Sequence, residues 1–222
     1  NVFFFGANGC FNAESHNQND VGSCVMYYDG KPCLIDLGRE EYTAKTFSSK
    51  RYEIWTMQSG YHNLPVINGK EQAPGGQYKA KNTSFTASNK EVVFSTDISG
   101  AYPAYASVES WIRSYRLIRS RTFTISDRYE LKEINKGATS SNLITYCTVK
   151  KNGEGSLRFD GDGFSLNMSY DPRSVEPEIQ FIEVKDRALQ RYWPEGVTRV
   201  VLRFRSSSLK GKHDIIFTPV KQ

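Results

Sequence analysis

A period of two limits this chain more than any other feature. Tyr, Phe, Val, Ile and Thr recur at alternate positions through most of its length. That spacing suits strands with one buried face and leaves no continuous apolar stripe for a helix. Turn-forming residues punctuate the alternation at Asp29-Gly30, Asn68-Gly69, Pro74-Gly75-Gly76, Asn152-Gly153 and Asp160-Gly161-Asp162-Gly163. The best helical spacing, near Ala104–Ser114, also alternates well enough to run as a strand into WIRSYRLIR. No internal repeat or low-complexity linker breaks the pattern. The expected fold is all-β, a large antiparallel two-sheet β-sandwich over residues 1–222 as a single domain. With 222 residues the chain is long enough to bury a full core.

Charge and composition narrow the function classes. A net charge of +5 is compatible with an anionic partner without requiring one. Clustered basic residues and zinc-finger, RNP or basic-helix signatures are missing, which argues against nucleic acid. No apolar run reaches a membrane-spanning length, and no signal peptide is visible. The chain opens at Asn1 without Met, directly in the apolar run Val2-Phe3-Phe4-Phe5, which reads as a mature or shortened start. Cys10, Cys24, Cys33 and Cys147 lack metal spacing and read as small, mostly buried hydrophobes.

One hairpin can be derived in register. In CVMYYDGKPCLID, Asp29-Gly30 is the preferred filling of a two-residue type I′ turn. Tyr28 then faces Lys31, Tyr27 faces Pro32, Cys24 faces Ile35 and Ser23 faces Asp36. Pro32 falls at a non-hydrogen-bonded pair, where its missing N–H is tolerable. Cys24 and Cys33 point to opposite faces in this register, which argues against a disulfide between them. Asp36 lies at the open end of the hairpin, next to the polar loop ESHNQNDVGS that holds His16, Gln18 and Asp20. The following segment, YEIWTMQSGYHNLPVINGKEQ, reads as strand, turn, strand, turn, strand, with His62-Asn63 on a link after Gly60.

These stretches supply an imidazole, an amide and carboxylates at strand ends. Gln18, Asp36 and His62 form a mixed nitrogen and oxygen set that suits a divalent cation. The same residues would also serve as a hydrogen-bonded network supporting loops. His16 invites proton transfer near neutral pH, or is a solvated loop histidine. His213 reads as a surface residue. Arg113, Arg116, Arg119, Arg121 and Arg128 fall across consecutive strand segments, as a basic strip or a solvated face. FDGDGFSLN lacks the closing Glu of an EF-hand loop and reads as a tight turn.

HNQNDVGSCVMYYDGKPCLIDLG followed by YHNLPVINGKEQ resembles the β-sandwich domain of the heparinase II/III family of polysaccharide lyases. DISGAYPAYASVESWIRSYRLIR is similar to the same family, so the resemblance covers residues 14–130 and extends toward the end. The resemblance implies that His16 faces the active site and that Gln18, Asp36 and His62 hold a structural metal. Many members have a second histidine where Gln18 stands; an amide there weakens zinc and tolerates calcium or manganese better. Tyr52, with Tyr42 as the alternative, matches a catalytic tyrosine, and Asn17 and Arg113 are expected to contact substrate. The implied activity is β-elimination on a uronate-containing acidic polysaccharide or oligosaccharide. Family members carry an N-terminal (α/α) toroid that supplies the neutraliser of the uronate carboxylate. No segment here has its helical periodicity, so the chain alone is expected to be close to inactive. The implied setting is bacterial, periplasmic or secreted. The competing expectation is a non-catalytic carbohydrate-binding or structural sandwich.

Overall fold

The computed structural model describes residues 2–135, 138–205 and 208–220. Two antiparallel sheets face one another, as the alternation requires. One sheet runs, in spatial order, through Phe3–Ala7, Cys24–Tyr28, Lys31–Leu34, Ser140–Thr145, Val197–Phe204 and Val175–Ile182, with the short strand Pro65–Val66 beside Ser140–Thr145. The other runs through Thr148–Lys151, Ser156–Gly161, Phe164–Ser169, Lys210–Pro219, Thr122–Leu131, Val108–Ile118, Glu91–Asp97 and Lys81–Ala87. Residues of both inner faces merge into one apolar core that includes Met26, Leu34, Trp111, Tyr115, Phe123 and Phe217. No helix among the described residues is long and apolar enough to cross a membrane.

The segment near Ala104–Ser114 divides into a 3₁₀ turn, Ala104–Ala106, and the strand Val108–Ile118. The hairpin keeps its Asp29-Gly30 turn, with both residues at positive φ, and the pairs Tyr28–Lys31 and Tyr27–Pro32. A bulge between Met26 and Tyr27 then shifts the register, so Met26 pairs with Leu34. The expected Cys24–Ile35 pairing is therefore displaced. Such a bulge lets one strand bend where its hydrogen-bonding partner changes.

Two expectations are overturned by burial. Arg113 is 1% exposed and does not join a basic strip. It shares the inward parity of Trp111, Tyr115 and Leu117, and sits directly opposite Asp127 on the neighbouring strand. His213 is also buried, opposite Asp127 on the other side, with its ring edge-on to Phe204. Burial holds the His213 imidazole below its usual pKa, the charge of Asp127 opposing that shift. Arg113, Asp127 and His213 thus form a polar row across three strands inside the sandwich.

The stretch from 44 to 61 is not a strand meander. It forms four short 3₁₀ turns, Ala44–Phe47, Arg51–Glu53, Trp55–Met57 and Ser59–Tyr61. Ile54 and Met57, three residues apart, are both buried, a spacing that fits one face of a 3₁₀ turn and not a strand.

Candidate functional site

The loop 14–23 folds as its composition demands. His16 and Asn19 take positive φ, at 64° and 53°, which Asn and His accept more readily than most residues. Gly22 is required at φ 81°, because a Cβ there would lie 2.4 Å from the Ile98 side chain. Asn8 secures the loop from outside, accepting from the Gly22 N–H at 2.8 Å and donating to Asp20 at 3.0 Å. Gln72, buried beneath, accepts from the Val21 N–H and donates to the Val21 carbonyl.

On the exposed side, His16 Nδ1 lies 3.0 Å from the Tyr42 hydroxyl, and the two rings stack. Nε2 of His16 has no partner among the described residues. The Arg39 guanidinium sits 4.0 Å above the Tyr42 ring, and Phe47 packs against Tyr42 at 5.3 Å between centroids. Tyr52 lies elsewhere in the local network, accepting from Asn17 Nδ2 at 3.0 Å. Asn17 is buried, and its side-chain amide also donates to Asn19, while its backbone carbonyl accepts two bonds from Arg51. Both hydrogens of its side-chain amide are thereby used in shaping the loop.

Behind this face, His62 is buried between two partners. Nε2 lies 3.1 Å from the Thr56 carbonyl and Nδ1 lies 3.1 Å from Asp36 Oδ2. A carbonyl can only accept, so Nε2 carries a proton and Nδ1 is turned toward a carboxylate. Two acceptors facing each other need a positive centre between them, either a proton on Nδ1 or a bound cation. Burial opposes charge on His62, yet the hydrogen bond and charge of Asp36, helped by Asp20, raise its pKa above the usual value. Burial likewise pulls Asp36 up, but His62 and the Gly38 N–H outweigh it and hold the carboxyl below its usual range. Asp20 is raised, mainly by burial. Gln18 donates to the Gly38 carbonyl at 3.0 Å, and Asp36 Oδ1 accepts the Gly38 N–H at 2.8 Å, so both side chains are tied to one peptide unit. A ring whose far N–H is held by a backbone carbonyl matches the usual orientation of a metal-ligating histidine. One imidazole nitrogen with carboxylate and amide oxygens is donor chemistry of the kind a divalent cation accepts. Among the described residues no three His, Cys, Asp or Glu side chains are grouped to hold one, so the amide oxygen of Gln18 would have to be the third ligand.

Sequence reasoning missed Asn63. Its amide donates to the Cys24 and Ile35 carbonyls at 2.7 and 2.9 Å, and its oxygen accepts from the Ile144 N–H at 2.7 Å. It fills the gap in the ladder where strands separate around the site. Arg113, expected to bind substrate, reaches this residue from the opposite sheet. It donates to the Asn63 carbonyl at 2.6 Å, to both Asp127 oxygens, and to Ser141. Four of its five N–H groups are thereby used inside the protein. Its role is to anchor the His62-Asn63 segment. The shared inward parity of Arg113 and Asp127 was the available signal.

The sequence profile described as Heparinase II/III-like, C-terminal, matches residues 2–179. The chain belongs to that family. A search of curated proteins finds no match. Among solved structures, the chain is similar to the heparan sulfate lyase HepC from Pedobacter heparinus, with 15% identity and a TM-score of 0.72, covering 98% of this chain and 33% of that one. It is similar to a heparinase III gene product with 15% identity and a TM-score of 0.73, over the same shares. A further heparinase III structure gives 13% identity and a TM-score of 0.65, covering 93% of this chain and 30% of that one. The chain thus spans about a third of the length of these relatives. At such identities the likeness establishes the fold, and the family membership places the chain as a domain of the heparinase II/III-like C-terminal type.

Proposed function

We propose that the chain is the sandwich part of a polysaccharide lyase that cleaves a uronate-containing acidic glycan by β-elimination. The observation that carries this reading is the exposed His16–Tyr42 pair, in the same loop region as the buried Asp36–His62 couple. In the reaction a base removes the proton at C5 of the uronate, charge moves onto the carboxylate, and the C4–O bond breaks to leave an unsaturated sugar. With Nδ1–H of His16 donating to the Tyr42 oxygen, the Nε2 lone pair is free to take or shield that proton. Arg39 adds a cation beside the pair. The enolate-like carboxylate makes the largest electrostatic demand. In this reading a helical toroid of the same protein meets most of it, and this chain alone turns over little. Gln18, Asp36 and His62 would hold zinc, calcium or manganese; a bound ion would cross-link their loops and add positive charge near the substrate. A periplasmic or secreted bacterial setting fits a polymeric substrate.

Absorbance of unsaturated uronate products should appear with the full-length protein and be close to absent with this chain alone. Equal turnover by the two would refute the shared-site reading. If the full-length protein is inactive while the chain binds glycan with an affinity indifferent to His16→Ala, the sandwich is a binding module. The metal is tested separately by melting. A chelator should lower the Tm of the wild-type chain and leave that of His62→Ala unmoved. A wild-type melt indifferent to chelator and to added zinc, calcium or manganese would remove the metal from this account.

A further inference from the structure

Strand Lys31–Leu34 meets strand Ser140–Thr145 through a single register pair, Leu34 with Thr145. This is the thinnest seam in the first sheet, joining its two halves. Thr145 reinforces it, donating from its hydroxyl to the Cys33 carbonyl and accepting the Cys147 N–H at 3.0 Å. Cys33 and Cys147 flank the pair on the same side, one residue before Leu34 and two after Thr145, and the backbones of both are hydrogen-bonded to the one Thr145 hydroxyl. Both are free and buried. Cys147 nevertheless borders a surface cleft of about 260 Å³ lined also by Tyr146, Val149, Phe181 and Thr198. Cys33 is fully buried behind it.

We infer that Cys33 and Cys147 are a redox-active pair, oxidised by a small-molecule disulfide that enters this cleft to form a staple across the seam. Cys147 as thiolate attacks one sulfur of the incoming disulfide and expels the other half as a thiolate, leaving a mixed disulfide on Cys147. Cys33 then loses its proton and attacks Cys147 Sγ, expelling the second half. Two protein thiols are oxidised and one external disulfide is reduced to two thiols. The order of attack follows from the environment. Cys33 lowers the Cys147 thiol despite burial, whereas burial drives Cys33 upward, and the thiolate is the nucleophile. Cys24, also buried, is pushed up to about 12 and is a poor competitor.

The test uses a Cys10→Ser background, because Cys10 is exposed. Oxidised glutathione should yield a Cys33–Cys147 cross-linked peptide in a non-reducing peptide map. The Tm should rise by roughly 10 °C, reversibly with dithiothreitol, as expected for closing a loop of more than a hundred residues. Cys33→Ser should trap one glutathione on Cys147, and Cys147→Ser should take up none on Cys33. If the unfolded, glutathione-treated protein still titrates all three remaining thiols, or if the cross-link is Cys24–Cys33, the proposal is overturned. The peptide map of the Cys10→Ser chain decides the matter even if Cys33→Ser or Cys147→Ser fails to fold.

Discussion

Arg113→Ala should destabilise the chain by about 3–5 kcal/mol, the range for removing one partner of a buried ion pair. The substitution would leave Asp127 charged, buried and facing an empty volume, and the Asn63 carbonyl without its donor. Burial disfavours the guanidinium charge, and the Asp127 carboxylate more than offsets that. Net stabilities of single domains are only about 5–15 kcal/mol, so the loss would be a large fraction of the whole. Urea unfolding gives the measurement, with the midpoint falling at unchanged slope. Arg113→Lys should recover little, because an ammonium cannot reproduce the two-pronged contact with both Asp127 oxygens. Replacing Arg113 by Met and Asp127 by Leu together should be far milder than Arg113→Ala, since no buried charge is stranded. A loss below about 1 kcal/mol in Arg113→Ala, the level of an exposed pair, would mean the pair anchors nothing.

His16→Ala, in the full-length protein, should lower kcat by about a hundredfold to ten-thousandfold while leaving the thermal melt nearly unchanged. The activity loss rests on the proposed lyase reading. The unchanged melt rests on exposure: His16 stands on the surface, and its one side-chain hydrogen bond is to Tyr42. Tyr42→Phe keeps the ring beneath Arg39 and removes the hydroxyl that meets Nδ1, so its activity should fall between wild type and His16→Ala. Tyr52→Phe removes the acceptor for Asn17 instead, and should act through loop order. Initial rates by uronate absorbance, with melts in parallel, separate these cases. A His16→Ala enzyme with wild-type kcat would exclude His16 from proton transfer, and a Tyr52→Phe effect larger than that of Tyr42→Phe would make Tyr52 the working phenol.

Much of the fold was legible because strand structure is written at short range. Alternation at period two identifies strands with one buried side, and Asp29-Gly30 or Asn68-Gly69 identify turns whose residues take positive φ. The polar loop around His16 was legible as a polar loop at a strand end, but the left-handed backbone of His16 and Asn19 was not. The neighbourhood of Asp36 and His62 was also within reach, since a hairpin and a short link carry both toward one end of the sheet. The bulge at Met26 was not legible, because the shift follows from the course of the partner strand. Nor were the 3₁₀ turns around Tyr52, whose apolar spacing also fits an irregular strand.

The residue sequence by itself determined a strand-built body, the turns that reverse it and the polar loops at its rim. Each of these follows from local sterics and from which side chains leave water. Tertiary structure alone decided which polar groups meet: Tyr42 with His16, His62 with Asp36 and Thr56, and Arg113 with Asp127 and Asn63. The physical reason is that a hydrogen bond or ion pair depends on positions within a few tenths of an ångström. Those positions are set by how two sheets pack and where the ladder breaks, among residues tens of positions apart in the chain.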